Sequence, residues 1–553
     1  MKESEDNLIR DIKSRFNQLA NKRKLFETRW SDAQTYCDKY VTNWGDLEAL
    51  PSVPKRYSSL PCNYLNILCN GLTGYSISPN ITWFKLSLAN QKLLDGYGVK
   101  DWLEEVESVM FAKFNASNLY SEAAKMIEDS IILGHGIIRV EEKKEDGQLN
   151  FKTFAANEMY LDCNAYGEVD TVFREYLLTV RQCVEFFGLE NLSEEIQYEY
   201  KNIENWDHNV KILQAVMPRK EYNPEAKDAK NMPYAVYYLD LRNNKLIQES
   251  GYQDNPYAVF YWDKFPNHAY GSSPAQNALP DIKALNIAKK TSLQIAQTSA
   301  EPPMQVPEDI RQINLTPRGL NYYSSADMKI EAIRTGENYP ITLEVLQDMK
   351  QEIKDWFNVD FFLMLQSKQG QMTATEVMEL QGEKAATLSN LIVNLNGALL
   401  KIIQRSFDIL MRNGELPELP LALRGQSGGM KVDFVGPLAQ AQKKYHTTGG
   451  TIQALQVAQP ILQMFPNSGD YIDGDKLMKV ALEGQGMPQS VIREEDDVKK
   501  IREERIQQQQ AQQQQAQQLA MTQSLMQNAD KLNQTTNENS VLGQLNEQMA
   551  GAI

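Results

Sequence analysis

The residue types that most often catalyse reactions or bind metals are scattered through this chain. Its four histidines, His135, His208, His268 and His446, are far apart in the sequence. His135 stands between two glycines and could be imagined in a ligand loop, but a histidine at a turn between a helix and a strand is usually structural. Spacing alone does not exclude a site that forms when distant residues meet in the folded chain.

The cysteines do not form a recognisable site either. Cys37, Cys62, Cys69, Cys163 and Cys183 are odd in number, scattered and without the spacing of a metal centre. A zinc or redox site is one interpretation, and a set of reduced, mostly buried thiols is the other. The scatter favours buried thiols in a reducing compartment.

Motifs for nucleotide binding and hydrolysis are missing. The stretch 425–431 is the nearest to a phosphate-binding loop, but it lacks the Gly-Lys-Ser/Thr ending. H-E-x-x-H does not occur, and no cluster of carboxylates stands out. We therefore expect no catalytic residue, no metal and no cofactor, and we predict that the protein is not an enzyme.

Composition limits the class of protein. The chain has 553 residues, 42% of them hydrophobic, which allows three or four domains with real cores. Its net charge of −15 argues against a tight nucleic-acid binder. We expect no secretory signal. The sequence contains no run of about 18 apolar residues, the length that a membrane-spanning helix needs.

The first 270 residues alternate between helical and strand patterns. Apolar spacing predicts an N-terminal helix through Cys37, a loop at 51–61 and a helix over 99–131. Short, turn-bounded strands follow, at 137–140, 149–154, 172–179, 209–217, 234–241, 245–249 and 257–262. Asn243-Asn244 predicts a hairpin turn between the strands at 234–241 and 245–249. The pattern indicates the α+β class.

A pair of helices with an insertion follows. Ser273 before Pro274 is a helix start, and Pro280 should kink or restart the helix that reaches residue 300. Helical spacing resumes at about residue 342 and continues through Trp356. Residues 301–341 between the two helices contain several prolines. This pattern is typical of an irregular insertion that runs out and back antiparallel and has a separate function at its tip.

The stretch "QSKQGQMTATEVMEL" joins a polar loop, 365–373, to a long helix. Thr373 and Glu376 form a capping box, and apolar spacing predicts a helix over 374–412, roughly 58 Å long. A rod of that length usually bridges domains or lies along an assembly. The alternative is that the loop is an ordinary surface connection.

The C-terminal region is less regular. A short strand is predicted at 432–435, and helical segments reach about residue 505. Residues 507–518 are almost entirely Gln and Ala. This tract is either an assembled helical tube or coiled coil, or a disordered polar tail.

Several stretches, taken in order, resemble the portal, or head-to-tail connector, proteins of short-tailed bacteriophages. They are "NITWFKL" at 80–86, "YLDCNAYGEVDTVFREYLLTVRQ" at 160–182, "YGSSPAQNALPDIKALN" at 270–286, "MTATEV" at 372–377, "ILMRNGELPELP" at 409–420 and "VDFVGPLAQAQK" at 432–443. Together they cover most of residues 1–445, and the Gln-rich tail lies outside them.

The resemblance implies a portal fold assembled as a cyclic ring of twelve copies at one capsid vertex, with DNA passing through its centre. The implied parts are an α/β wing (1–270), stem helix 1 (271–300), a clip (301–341), stem helix 2 (342–364), a tunnel loop (365–373), a long wing helix with a closing strand (374–437), a helical crown (438–505) and a Gln-rich barrel or tail (506–553). The tunnel-loop residues expected to face DNA are Ser367, Lys368, Gln369, Gly370 and Gln371, with Thr373 and Glu376 capping the helix behind them.

The resemblance also implies partners and a location. They are double-stranded viral DNA in transit, the major capsid and scaffolding proteins, a transient terminase motor, and tail adaptor and tail proteins. The protein is expected in the virion, after assembly in the host cytoplasm. Two other functions stay open on the residues alone: a metal-dependent nuclease acting on viral DNA, and a cytoplasmic assembly scaffold.

Overall fold

A computed structural model describes most of the first 440 residues and scattered positions beyond them. The described residues are 2–306 apart from 91–92, 94–95, 97, 144–146, 224–225 and 227; 308, 312–314, 322 and 330–332; 343–366; 388–439 apart from 425–428; and 474, 478, 498, 500–510, 512, 517, 519–521 and 524. Residues 1–470 form one unit and Tyr471–Ile553 a second.

The described residues form helices and antiparallel sheets, as in the α+β class. The helices are α1 (Lys2–Cys37), α2 (Leu60–Ser76), α3 (Val99–Ala116), α4 (Leu119–Leu133), α5 (Val180–Phe187), α6 (Glu194–Tyr200), α7 (Pro274–Asn277), α8 (Leu279–Ala300), α9 (Leu343–Trp356), α10 (Val359–Gln366) and α11 (Ser389–Arg412). The strands are β1 (Phe84–Leu88), β2 (His135–Glu142), β3 (Leu149–Thr153), β4 (Met159–Cys163), β5 (Val169–Thr179), β6 (Asn209–Pro218), β7 (Tyr234–Asp240), β8 (Lys245–Tyr252), β9 (Tyr257–Tyr261), β10 (Asp263–Lys264), β11 (Gly271–Ser272), β12 (Met304–Gln305), β13 (Glu331–Ala332) and β14 (Met430–Phe434).

The largest sheet is antiparallel, in the order β4-β5-β6-β7-β8. One row across it, Tyr160, Phe173, Ala215 and Tyr237, joins the buried cluster that also holds Ile12 and Leu19 of α1. The amphipathic first half of α1 therefore covers one face of this sheet. Its second half carries Trp30, Ala33 and Cys37 into the main core, as the sequence predicts.

Two smaller sheets complete the main core. The first has the order β3-β2-β9, and α4 and α11 pack against it. The second pairs β1 with β14, so Phe84 lies opposite Phe434 although the two residues are far apart in the chain. All seven strands predicted before residue 270 are present, and Asn244 adopts the left-handed conformation (φ 52°) of the predicted hairpin turn.

The single helix predicted over 99–131 is wrong, because the structure divides it at Ser117 and Asn118. The Asn118 side chain donates to the carbonyl of Phe151 (2.6 Å) and accepts from its N–H (3.0 Å). These hydrogen bonds hold Asn118 between the two helices and connect the helix break to β3. The loop predicted at 51–61 also ends early, since α2 begins at Leu60 with Pro61 in its first turn.

The predicted restart at Pro280 is confirmed. α7 ends at Asn277, and α8 begins at Leu279 with Pro280 in its first turn. The helix predicted from about residue 342 through Trp356 is confirmed as α9. In the stretch 342–364, which the resemblance implies to be stem helix 2, the described residues form α9 and α10, separated at Asn358 with its left-handed φ of 50°.

The predicted rod over 374–412 is confirmed only for its second part. α11 begins at Ser389, and Leu388 before it lies in a turn with a ψ of 6°, outside helical geometry. The residues from 374 to 387 lie outside the described residues. Most of the insertion 301–341 is also outside them, but β12 and β13 pair antiparallel within it, as an out-and-back excursion requires.

The second unit is described only in part. Residues 501–510 are helical, and so are the described positions of the Gln-rich tract, Gln512 and Gln517. Within the described residues, no helix combines the length and apolar composition needed to cross a bilayer.

Candidate functional site

The seven residues predicted for the loop and its cap lie outside the described residues. They are Ser367, Lys368, Gln369, Gly370, Gln371, Thr373 and Glu376. The structure does describe the helices before and after them, α10 and α11. These two helices are the nearest described elements on either side of the segment 367–387.

The approach to the loop bends at Asn358. Asparagine tolerates the left-handed conformation that this bend needs, because its short polar side chain relieves the steric cost. The Phe361 N–H donates to the Asn358 carbonyl (3.2 Å), which starts α10. An ion pair between Lys354 and Asp360 (2.5 Å) spans the bend. The change of direction between α9 and α10 is thus fixed by local bonds.

A tight contact with α2 holds α10 in place. Phe362 is fully buried and lies against Gly71, where an added Cβ would be 2.2 Å from the phenyl ring. Tyr75, one turn later on α2, stacks on Phe362 with ring centroids 6.4 Å apart. Only glycine leaves room for this ring, so α10 sits directly on the α2 backbone.

The helix after the loop is anchored by apolar burial and one buried arginine. The apolar positions expected at helical spacing are buried: Leu391, Ile392, Leu395, Leu399, Ile402, Ile403 and Ile409. Arg405, 6% exposed, donates to the Val140 carbonyl (2.7 Å) and to the Asp254 carboxylate (2.5 Å). This arginine ties α11 to β2 and to the turn before β9.

The start of α10 and the start of α11 lie beside an open cleft of about 770 Å³. Asn358 and Trp356 line it on the approach side, and Leu388 and Asn390 on the return side. Its other lining residues are Trp262, Asp263, Pro274, Asn277, Asp281, Glu352, Asp355, Leu391 and Asn394. The structure therefore brings the start of α10 close to the start of α11.

Among the described residues that line this cleft, every charged side chain is acidic: Asp263, Asp281, Glu352 and Asp355. None of the four has an ion pair to another described residue. Their field repels phosphate and does not grip it. In the described part of the chain, no group of three or more His, Cys, Asp and Glu side chains could hold a metal ion.

His135 is a core residue in this structure, which supports its structural interpretation. It is 2% exposed and packs between the rings of Trp30 and Tyr270, at centroid distances of 5.1 and 5.2 Å. Burial lowers the pKa of His135 to about 4. Gly136 beside it allows β2 to approach α4, since a Cβ there would lie 1.9 Å from the Met126 carbonyl oxygen.

The cysteines are all free, and three of them are buried: Cys37, Cys69 and Cys183. Burial raises the pKa of Cys69 and of Cys183 to about 12, which keeps both as unreactive thiols. The interpretation as buried thiols is confirmed for these three. Cys62 and Cys163 are partly buried.

The sequence did not predict two features that hold α10 and α11 in place. α2 was not predicted, although Leu65, Leu68 and Leu72 have helical spacing and are buried. Nothing in the sequence marks Arg405 as buried, because its partners Val140 and Asp254 are distant in the chain.

The chain matches a family of known proteins along most of its length. A family model described as bacteriophage head to tail connecting protein matches residues 10–492. The portal protein of Salmonella phage epsilon15 is 31% identical over 537 residues, covering 94% of each chain. The probable portal protein of Bordetella phage BPP-1 is 27% identical over 517 residues, 87% of this chain and 91% of its own length.

Proposed function

Because the chain belongs to the family of bacteriophage head to tail connecting proteins, we propose that twelve copies close into a ring at one vertex of a phage capsid. Its function is that of a portal protein. The similarity supports neither a metal-dependent nuclease nor a cytoplasmic scaffold. The observation that carries this function is the near full-length match to two portal relatives.

Double-stranded viral DNA passes through the ring in this proposal, during packaging and again during ejection. The family is one of structural connectors, so the work of packaging falls to a separate terminase motor that binds transiently. Capsid and scaffolding proteins surround the ring in the head, and a tail adaptor replaces the motor after packaging. The ring is assembled in the host cytoplasm and retained in the virion.

The fold supports the part names that the resemblance implies. α8 and α9 contact each other and flank the excursion that holds β12 and β13, which suits a stem and a clip. The sheets before residue 270, closed by β1 and β14, suit a wing. The loop 365–373 then lies on the channel wall, with Ser367 to Gln371 facing DNA.

Charge supports a conduit for DNA with little affinity for it. Twelve copies of net charge −15 carry about 180 formal negative charges. The described charged residues that line the cleft beside the starts of α10 and α11 are acidic as well. Channel walls that attract phosphate strongly would hold DNA in place, whereas weak, screened contacts let it move.

Locating the protein in finished particles tests this function. Virions carrying an epitope-tagged copy are labelled with gold and viewed by electron microscopy. One labelled vertex per particle, at the tail, is the expected result, and particles made without the protein should lack DNA. Label at many vertices, or along the tail, would contradict a portal.

A further inference from the structure

The two helices of the proposed stem run antiparallel. Asp281, near the start of α8, and Asp355, near the end of α9, line the same cleft. The helical rise then puts Lys290 about 14 Å from Asp281 along α8, and Asp348 about 10 Å from Asp355 along α9, in the same direction. Lys290 and Asp348 therefore lie at nearly the same level.

The outer face of α8 is apolar with one positive charge. Ile287 is 63% exposed and Leu293 is 51% exposed. Lys290 lies between them on the same face and is exposed. Its ammonium lies 5.8 Å from the centre of the Tyr57 ring and pairs with no carboxylate among the described residues.

The outer face of α9 is apolar with negative charges. Val345 is 40% exposed and Trp356 is 44% exposed. Asp348 and Glu352 lie between them at helical spacing, and both are exposed. In the described part of the chain neither carboxylate has an ion pair. The exposed face of α8 is therefore positively charged, and the exposed face of α9 is negatively charged.

We propose that the α8 face of one copy packs against the α9 face of the next copy in the ring. Lys290 then lies beside Asp348 of the partner subunit and Glu352 of the partner subunit, with the aliphatic side chains closing around them. This inference rests on the proposed ring. A ring closes through two different, complementary patches on every copy, and these two helix faces supply such a pair.

Contacts between identical faces are disfavoured by charge. Two α8 faces would bring Lys290 against its own counterpart, and two α9 faces would bring four carboxylates together. Like charges at such distances repel, whereas the mixed contact pairs opposite charges. The exposed aliphatic side chains also favour burial against a partner over exposure to water.

The test uses two variants that each reverse one face. Lys290→Glu makes the α8 face acidic, and Asp348→Lys with Glu352→Lys makes the α9 face basic. Each variant alone brings like charges together at every contact. The fraction assembled as rings, measured by mass photometry and electron microscopy at equal concentration, should fall about tenfold or more, the effect of a loss near 1.4 kcal/mol.

Mixing the two variants should restore the rings. In a mixed ring with alternating copies, each reversed face meets the other reversed face and each native face meets a native one, so opposite charges pair at every contact. Lys201→Glu, an exposed reversal on the turn after α6, is the matched control and should assemble normally. Circular dichroism checks that every variant is folded.

Each outcome decides the proposal. Wild-type ring levels in either single-face variant, or no recovery on mixing, would overturn this contact and leave the ring itself intact. Wild-type protein without rings would reject both the ring and the contact. If a charge reversal unfolds the chain, the neutral variants Lys290→Gln and Asp348→Asn with Glu352→Gln are used in its place. Rings of these neutral variants that are as stable as wild-type rings would overturn the contact.

Discussion

Gly71 and Phe362 meet where α2 supports the helix that leads into the predicted loop. Replacing Gly71→Ala should destabilise the fold, because its Cβ would lie 2.2 Å from a fully buried ring. Overpacking of this kind outweighs the helix-forming advantage of alanine, and we expect a net loss of about 1–2 kcal/mol. Thermal or denaturant unfolding measures it.

Gly74→Ala is the matched control on the same helix. No atom lies within 4 Å of a Cβ built at Gly74, so alanine there should be neutral or stabilising. Equal melting temperatures for the two variants would show that α10 can move away from α2, and that the loop base is less tightly held than its packing indicates.

Glu107 should make stability depend on pH. Its carboxylate accepts the Leu86 N–H (2.5 Å), and burial raises its pKa to about 7 from 4.5. The folded state therefore binds this proton more tightly than the unfolded state, and the free energy of unfolding falls as pH rises from about 5 through 7. Replacing Glu107→Gln removes this loss.

The expected gain for Glu107→Gln is about 1 kcal/mol at pH 8, reduced because the carboxyl is partly exposed. It should disappear at pH 5, where wild-type Glu107 is largely protonated. Unfolding curves at both pH values measure the difference. A glutamine variant that is less stable than wild type at pH 8 would mean that the ionised carboxylate is the favoured partner of Leu86.

At the scale of elements, apolar spacing predicted which residues are helical better than where helices break. The break at Asn118 depends on hydrogen bonds to Phe151, which lies on another element. The break at Asn358 needs one residue in the left-handed conformation and is bridged by local bonds. Apolar periodicity along a helix shows neither a hydrogen bond to another element nor a single left-handed residue. The restart at Pro280 was predictable because proline acts locally.

The predicted loop belongs to this scale too. Shortening residues 366–371 while keeping Thr373 and Glu376 should leave folding and ring assembly unchanged, since the loop contains little apolar surface to bury. DNA packaging or retention should suffer instead. Particles assembled with the shortened protein are scored for ring formation, thermal stability and length of packaged DNA. Normal packaging would make the loop an ordinary connection.

Thr373→Ala should act on stability and not on DNA. It removes a helix cap worth about 0.5–2 kcal/mol, so the start of the helix predicted from residue 374 should loosen and the ring should melt earlier. Thr373→Ser keeps the capping oxygen and is the control, with stability close to wild type. Equal melting of the alanine and serine variants would argue against a cap at this position.

At the scale of the whole molecule, composition and pattern predicted the α+β class, while the ring and the vertex came only from resemblance. Lys290 and Asp348, which we propose to form the contact between copies, are exposed side chains in one copy. Such a contact involves a neighbouring copy that the sequence of one chain does not show. The candidate loop could be named from the sequence of its cap, whereas the cleft and the buried Arg405 could be found only from the fold.

The central claim is that the protein alone closes into a portal ring. Native mass measurement and electron microscopy of the purified full-length chain, without nucleotide or DNA, test it most directly. We predict particles of about twelve times the 63.1 kDa of one chain, with a central hole. Monomers across a broad range of concentration, or open filaments in place of closed rings, would contradict the account.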